Sequence, residues 1–71
     1  MSVQGVVQTY DPATGVGVVV RDDDRSEVLL RPGSLAGSIF RTLRQGQRII
    51  FDQTEEEGAS YVAGGVRVGQ D

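Results

Sequence analysis

Valine-rich runs alternate with glycine-containing turns along this sequence, and the alternation limits the folds open to it. Eleven valines, three isoleucines and ten glycines occur among 71 residues. β-Branched side chains favour strands, and glycine favours the tight turns between strands. The apolar residues show no helical period over more than about two turns. The sequence therefore predicts an all-β fold.

The valine-rich runs predict five short strands. Short polar turns join the first three into a meander. A long connection over residues 32–45 follows, and an acidic loop over residues 54–60 joins the last two strands into a hairpin. A small five-stranded antiparallel Greek-key barrel requires this order, and closure removes sheet edges that so short a chain cannot cover. A small open sandwich or an SH3-like barrel has nearly the same strand count and stays an alternative. The predicted strands are residues 3–10, 16–21, 27–31, 47–53 and 61–68.

The available side chains exclude most catalytic chemistry. The chain has no histidine or cysteine, and all seven basic residues are arginine. It therefore lacks the commonest general base, the thiol nucleophile and the usual metal ligands. Two acidic runs, residues 22–24 and 55–57, lack the spacing of a calcium loop and are interpreted as solvated turns. We expect a protein that is not an enzyme and that has no metal and no cofactor.

Length and charge limit the number of domains and the functional classes that remain. A chain of 71 residues predicts one domain, residues 1–71. Its net charge of -3 and pI near 4.7 argue against coating nucleic acid by bulk electrostatics, although a local binding face is compatible with them. No apolar stretch reaches the length of about 20 residues that a membrane span needs, and residues 1–5 do not resemble a secretory signal. We expect a cytoplasmic protein with no membrane partner.

Several segments resemble the cold-shock domain family in one continuous register. Residues 5–11, G-V-V-Q-T-Y-D, and residues 14–19, T-G-V-G-V-V, resemble the family's G-x-V-K-W-F-N and K-G-F-G-F-I. Residues 27–32, E-V-L-L-R-P, lie where the family has D-V-F-V-H-F. Residues 40–47 keep the spacing F-K-x-L-x-x-G-Q, and residues 62–66 resemble the closing A-A-x-N-V. The resemblance covers nearly the whole chain.

This resemblance implies an oligonucleotide/oligosaccharide-binding barrel that binds single-stranded RNA or DNA by stacking bases on aromatic rings of the second and third strands. It also implies a role in RNA chaperoning or gene expression. The sequence departs from the family where those rings usually lie. Tyr10 and Phe40 alone keep a ring at a family binding position. Thr9 replaces a tryptophan, Val16, Val18, Leu29 and Pro32 replace phenylalanines, and Arg31 replaces a histidine.

The candidate nucleic-acid-binding residues follow from the resemblance. Phe40 and Tyr10 are expected to stack on bases, and Arg31 and Arg41 to contact phosphate or stack. Outward-facing apolar residues are expected to form the floor of the site. They are Val16, Val18 and Leu29.

Each candidate has a structural alternative. For Phe40 the alternative is a cover over the barrel end together with Ile39 and Leu43. For Tyr10 it is packing, although alternation in the first strand puts Tyr10 on the face opposite Val7 and Thr9. The three apolar residues are core if the strand faces are reversed. Tyr61 is interpreted as structural or as packing at the rim.

Four arginines lie in a segment that contains no acid between Glu27 and Asp52. Arginine binds phosphate bidentately and stacks on bases, so a shared arginine face is one interpretation, and a solvated surface is the other. The four are Arg31, Arg41, Arg44 and Arg48.

Two functional hypotheses follow from these residues. In the first, the protein binds single-stranded RNA or DNA weakly and with little sequence preference, because most stacking rings are missing. In the second, the barrel has become a module for homodimerisation or for contact with a protein partner through the Val16, Val18 and Leu29 face. Exposed apolar patches often mark such contacts.

Overall fold

Five strands close into a barrel. The structure, a computed structural model, describes residues 2–35, 37 and 40–69. The spatial order of the strands is β1-β2-β3-β5-β4, with β4 returning to β1. The predicted all-β, five-stranded barrel is confirmed, and its closure rules out the open sandwich. The strands are β1 (Ser2–Asp11), β2 (Val16–Arg21), β3 (Glu27–Leu30), β4 (Arg48–Glu56) and β5 (Ala59–Val68).

Neighbouring strands are antiparallel except where the barrel closes. β1, β2 and β3 form the predicted meander, and β4 and β5 form the predicted hairpin. β3 meets β5 in parallel through the pair Leu29 and Tyr61. Among the described residues, no helix is long and apolar enough to cross a membrane.

Alternate residues of each strand fill the barrel. On β2 and β3 the buried residues occur at every second position, as expected for strands with one face in the core. Among the described residues Phe51 of β4 is the largest fully buried side chain, and its burial contributes about 2–3 kcal/mol. Leu43 reaches the core from the connection that precedes β4. The buried apolar residues are Val7, Val19, Val28, Leu30, Leu43, Ile49, Phe51, Val62 and Val66.

Two glycines allow β1 and β2 to approach closely. A Cβ atom at Gly17 would lie 2.5 Å from the carbonyl oxygen of Thr9, and one at Gly5 would lie 2.6 Å from that of Val20. Neither distance is tolerated by a real methyl group, so larger residues would push the strands apart. The glycines therefore have a packing role in the first hairpin.

The β4–β5 hairpin is longer than predicted. The loop expected over residues 54–60 is wrong, because β4 continues to Glu56 and β5 begins at Ala59. The turn is only Glu57 and Gly58, with φ angles of 53° and 80°. Positive φ at both turn positions suits the twist of a tight hairpin. The charge of this run favours a loop in the sequence. In the structure its acidic side chains remain exposed to solvent even though the backbone pairs as a strand.

A bulge in β1 changes the predicted facing of Tyr10. The pairing shifts register between Val7 and Thr9, so Gln8 is the extra residue. Beyond the bulge, Tyr10 pairs with the buried Gly17 and packs against the core, whereas Thr9 pairs with Val18. The expectation that Thr9 shares a face with Val7, and that Tyr10 lies opposite, is therefore wrong. A strict two-residue period cannot anticipate an inserted residue.

Candidate nucleic-acid interface

Apolar and aromatic side chains form a continuous strip on the outside of the barrel, called the outer strip here. Val18 pairs with Leu29, and Leu29 pairs with Tyr61 of β5. The strip consists of Val16, Val18, Leu29 and Tyr61. Val16 is 50% exposed, and the remaining three side chains are half-buried. The alternate residues of β2 and β3 are buried, so the outward facing predicted for Val16, Val18 and Leu29 is confirmed and the core alternative is wrong.

Arg31, Glu56 and Tyr61 form a cluster at the end of the outer strip. The Arg31 guanidinium lies over the Tyr61 ring, with its Cζ 4.2 Å from the ring centroid. Arg31 Nη1 donates to Glu56 Oε1 at 3.2 Å, and Nη2 donates to Oε2 at 2.9 Å. These hydrogen bonds, reinforced by the charge of Arg31, lower the pKa of Glu56, and the pKa of Arg31 is raised in return. The cluster is a bidentate ion pair stacked on an aromatic ring.

The four predicted arginines do not share one acid-free face. Arg31 pairs with Glu56, and Arg48 Nε lies 3.5 Å from Asp22 Oδ2. Arg41 and Arg44 are exposed in the connection before β4. The interpretation of a segregated basic face is wrong, because neighbouring strands and loops bring acids to arginines that have none nearby in sequence.

Phe40 is half-buried and packs against the core. Its segment is held beside β1 near the bulge, where the Val7 amide donates to the Gln47 carbonyl at 2.8 Å and the Gly46 amide donates to the Val7 carbonyl at 2.7 Å. Phe40 also lines a shallow surface depression with residues 42 and 44–47. This position combines core packing with partial exposure, and Ile39, the suggested companion in covering the barrel end, lies outside the described residues.

The acidic β2–β3 loop is organised by hydrogen bonds within itself. Arg21 donates to both carboxylate oxygens of Asp23, which lowers the pKa of Asp23. Asp24 Oδ1 accepts from the amide and the hydroxyl of Ser26. Over the described parts of the chain, no group of three or more acidic residues is placed to hold a metal ion.

A comparison with known proteins finds a relative of similar length. A cold shock-like protein of Aquifex aeolicus (strain VF5) is 30% identical over 56 residues, which are 79% of this chain and 80% of that protein. The chain belongs to the cold-shock family. No family model matches the sequence. For a cold-shock protein, this chain presents an outer strip with valine and leucine where the resemblance leads one to expect rings.

Tyr61 is the residue of the outer strip that the sequence interpretation missed. Its neighbour Val62 is buried, so alternation places Tyr61 outside, and this signal is present in the sequence. Its position beside Leu29 depends on the parallel β3–β5 pairing, which links residues far apart in the chain. The structure thus brings Val16, Val18, Leu29 and Arg31 together with Tyr61, while Tyr10 packs inward and Phe40 lies in the connection before β4.

Proposed function

We propose that this cold-shock protein binds single-stranded RNA or DNA on the outer strip, without catalysis. The outer strip carries the proposal, because in a member of this family it offers an apolar surface to base faces and ends at an arginine that can contact phosphate. Val16, Val18 and Leu29 form the floor, and Tyr61 extends it. RNA chaperoning or control of gene expression is the role that fits a binding protein of this kind.

Binding is expected to be weak and to show little sequence preference. Base stacking on an aromatic side chain is worth about 1–3 kcal/mol per base, and aliphatic side chains at the usual ring positions forgo much of it. The net charge of -3 adds no general attraction for a polyanion. Contacts to base faces rather than base edges would give a low sequence preference.

Phe40, Arg41 and Tyr10 complete the proposed interface. Phe40 is half-buried and its neighbour Arg41 is exposed. Phe40 would stack on a base, and Arg41 would contact a phosphate. Tyr10 contributes through its exposed part, although most of its ring supports the core. These three contacts are secondary to the outer strip.

Titration of labelled oligo-dT and oligo-U at low salt tests the proposal. Wild-type protein should bind both, and Phe40→Ala should bind at least about fivefold more weakly because a stacking ring is lost. Val68→Ala is the control, since Val68 is 64% exposed and lies outside the strip. Absence of binding at low salt, where phosphate contacts are strongest, would contradict the proposal.

A protein-contact function is the competing candidate, because the outer strip is an apolar surface in which Val16 is exposed and Val18, Leu29 and Tyr61 are half-buried. If the outer strip contacts protein, Val18→Glu would dissociate a homodimer or release a bound partner. Sedimentation of the wild type and of Val18→Glu distinguishes the two. A wild-type monomer that binds oligonucleotide favours the nucleic-acid proposal, and a dimer that Val18→Glu dissociates favours protein contact.

A further inference from the structure

The Arg31, Glu56 and Tyr61 cluster lies where the outer strip ends, and all three side chains come from different strands or their ends. Arg31 directly follows β3, Glu56 ends β4, and Tyr61 belongs to β5 beside Leu29. The Arg31 and Glu56 side chains are 43% and 47% exposed. A ligand on the outer strip would therefore reach the cluster without any change in the core.

Glu56 accepts the two hydrogen bonds from Arg31 that a phosphate would also need. Carboxylate and phosphate both accept two parallel hydrogen bonds from the guanidinium fork, and Glu56 accepts from Nη1 and Nη2 of Arg31. A phosphate can bind this edge of Arg31 only by displacing Glu56. An exposed ion pair of this kind contributes little stability, so the displacement is within reach of a bound strand.

The same ion pair holds Arg31 over Tyr61. With its Cζ 4.2 Å from the ring centroid, the guanidinium covers one face of the only aromatic ring on the described outer strip. A phosphate that drew Arg31 away from Glu56 would uncover that ring face for a base to stack on. Phosphate contact and base stacking would thus be coupled through one arginine.

We propose that Tyr61 is a base-stacking residue of this interface and that Glu56 is an internal competitor that restrains Arg31 from binding phosphate. This inference rests on the proposed binding of single-stranded nucleic acid. It assigns to Glu56 a role in setting affinity, and to Tyr61 the stacking role that the missing family rings leave open.

Glu56→Gln tests the competition, with Glu57→Gln as the matched control. Both changes remove one negative charge from the same hairpin, but only Glu56 pairs with Arg31. Glu56→Gln should bind oligo-dT about two- to fivefold more tightly than Glu57→Gln, as expected for release of one exposed ion pair. The plot of log K against log salt should steepen by up to about 0.7, the value for one added phosphate contact on a single strand.

A double-mutant cycle separates this inference from general electrostatics. In an Arg31→Gln background, Glu56→Gln should give no more gain than Glu57→Gln. Tyr61→Leu, which keeps the strip apolar, should weaken binding at least about fivefold in the Glu56→Gln protein. Circular dichroism verifies that each variant is folded.

The outcomes distinguish the inference from the proposed function. If the wild type binds but Glu56→Gln matches Glu57→Gln, or if Tyr61→Leu binds as well as its parent, the inference fails alone. If neither wild type nor Glu56→Gln binds at low salt, the proposed function fails with it. If Glu56→Gln binds oligo-dT more tightly than Glu57→Gln, and this gain is lost in the Arg31→Gln background, the inference and the proposed function are both supported.

Discussion

The Arg31–Glu56 ion pair should be visible in the titration of one carboxyl group. Two hydrogen bonds from Arg31, and then its charge, lower the pKa of Glu56. Arg31→Gln should therefore raise the pKa of Glu56 toward its ordinary value, as measured by carbon NMR of the carboxyl group. Arg44→Gln is the control, because Arg44 is exposed in another segment.

The sign of the pH dependence follows from the lowered pKa. The ion pair contributes stability at pH values above the pKa of the unfolded carboxyl, about 4.3, and the contribution is lost as the pH falls through the lower pKa of the folded state. A Glu56 carboxyl that titrates identically in wild type and Arg31→Gln would show that the pair does not form in solution.

At the residue scale, the sequence could predict the facing of side chains that follow simple alternation. Val16, Val18 and Leu29 face outward as expected, because nothing interrupts β2 or β3. Tyr10 does not, because the bulge at Gln8 shifts every later residue of β1 by one position. A bulge depends on how the partner strand pairs, so local sequence carries no signal for it.

At the scale of strands, Gly17 should limit how closely β1 and β2 pack. Gly17→Ala would place a methyl group 2.5 Å from the Thr9 carbonyl oxygen and 3.0 Å from Leu30 Cδ1. Relief requires the strands to separate, and the expected loss of unfolding free energy is about 1–3 kcal/mol. Urea denaturation measures the loss, and hydrogen exchange should quicken along the β1–β2 pairing.

Gly58→Ala provides the contrast for Gly17→Ala. An added Cβ at Gly58 meets no atom within 4 Å, but its φ of +80° is strained for alanine. Its cost should therefore come from the backbone alone, and faster exchange should be confined to the tip of the β4–β5 hairpin. The packing account of Gly17 is wrong if Gly17→Ala leaves exchange in β1 and β2 unchanged.

The order of the strands was predictable, whereas some of their ends were not. Valine spacing and glycine turns identify all five strands and the long connection after the third. The β4–β5 hairpin extends into the acidic run because pairing depends on a two-residue turn with positive φ, not on the polarity of the flanking side chains. Strand ends reflect the geometry of the turn more than composition.

At the scale of the whole molecule, net charge is a poor guide to the binding face. The acids that give the chain its net charge of -3 neutralise particular arginines, as Asp23 does for Arg21 and Glu56 for Arg31. What distinguishes one side of the barrel is the apolar outer strip, in which the β2–β3 hairpin supplies Val16, Val18 and Leu29 and barrel closure adds Tyr61 of β5. Hairpin pairing and barrel closure, rather than charge segregation in sequence, create the candidate site.

Restoring rings to the outer strip should strengthen binding without affecting the core. Val18 and Leu29 pair directly and face away from the buried residues, so Val18→Phe with Leu29→Phe adds two adjacent rings to the surface. Affinity for oligo-dT should rise about tenfold or more, since each stacked base contributes about 1–3 kcal/mol. Fluorescence titration at fixed salt measures the change.

Val20→Phe is the matched control for ring restoration, because it lies on the same strand and the same outer face. Val20 pairs with Glu27 and borders a depression lined by Arg21 and Asp22, beyond the strip. A single ring there adds apolar area on the same outer face but lies apart from Leu29 and Tyr61, so affinity should change little. Equal gains from both positions would mean nonspecific attraction, and ring-induced dimerisation without tighter binding would favour the protein-contact function.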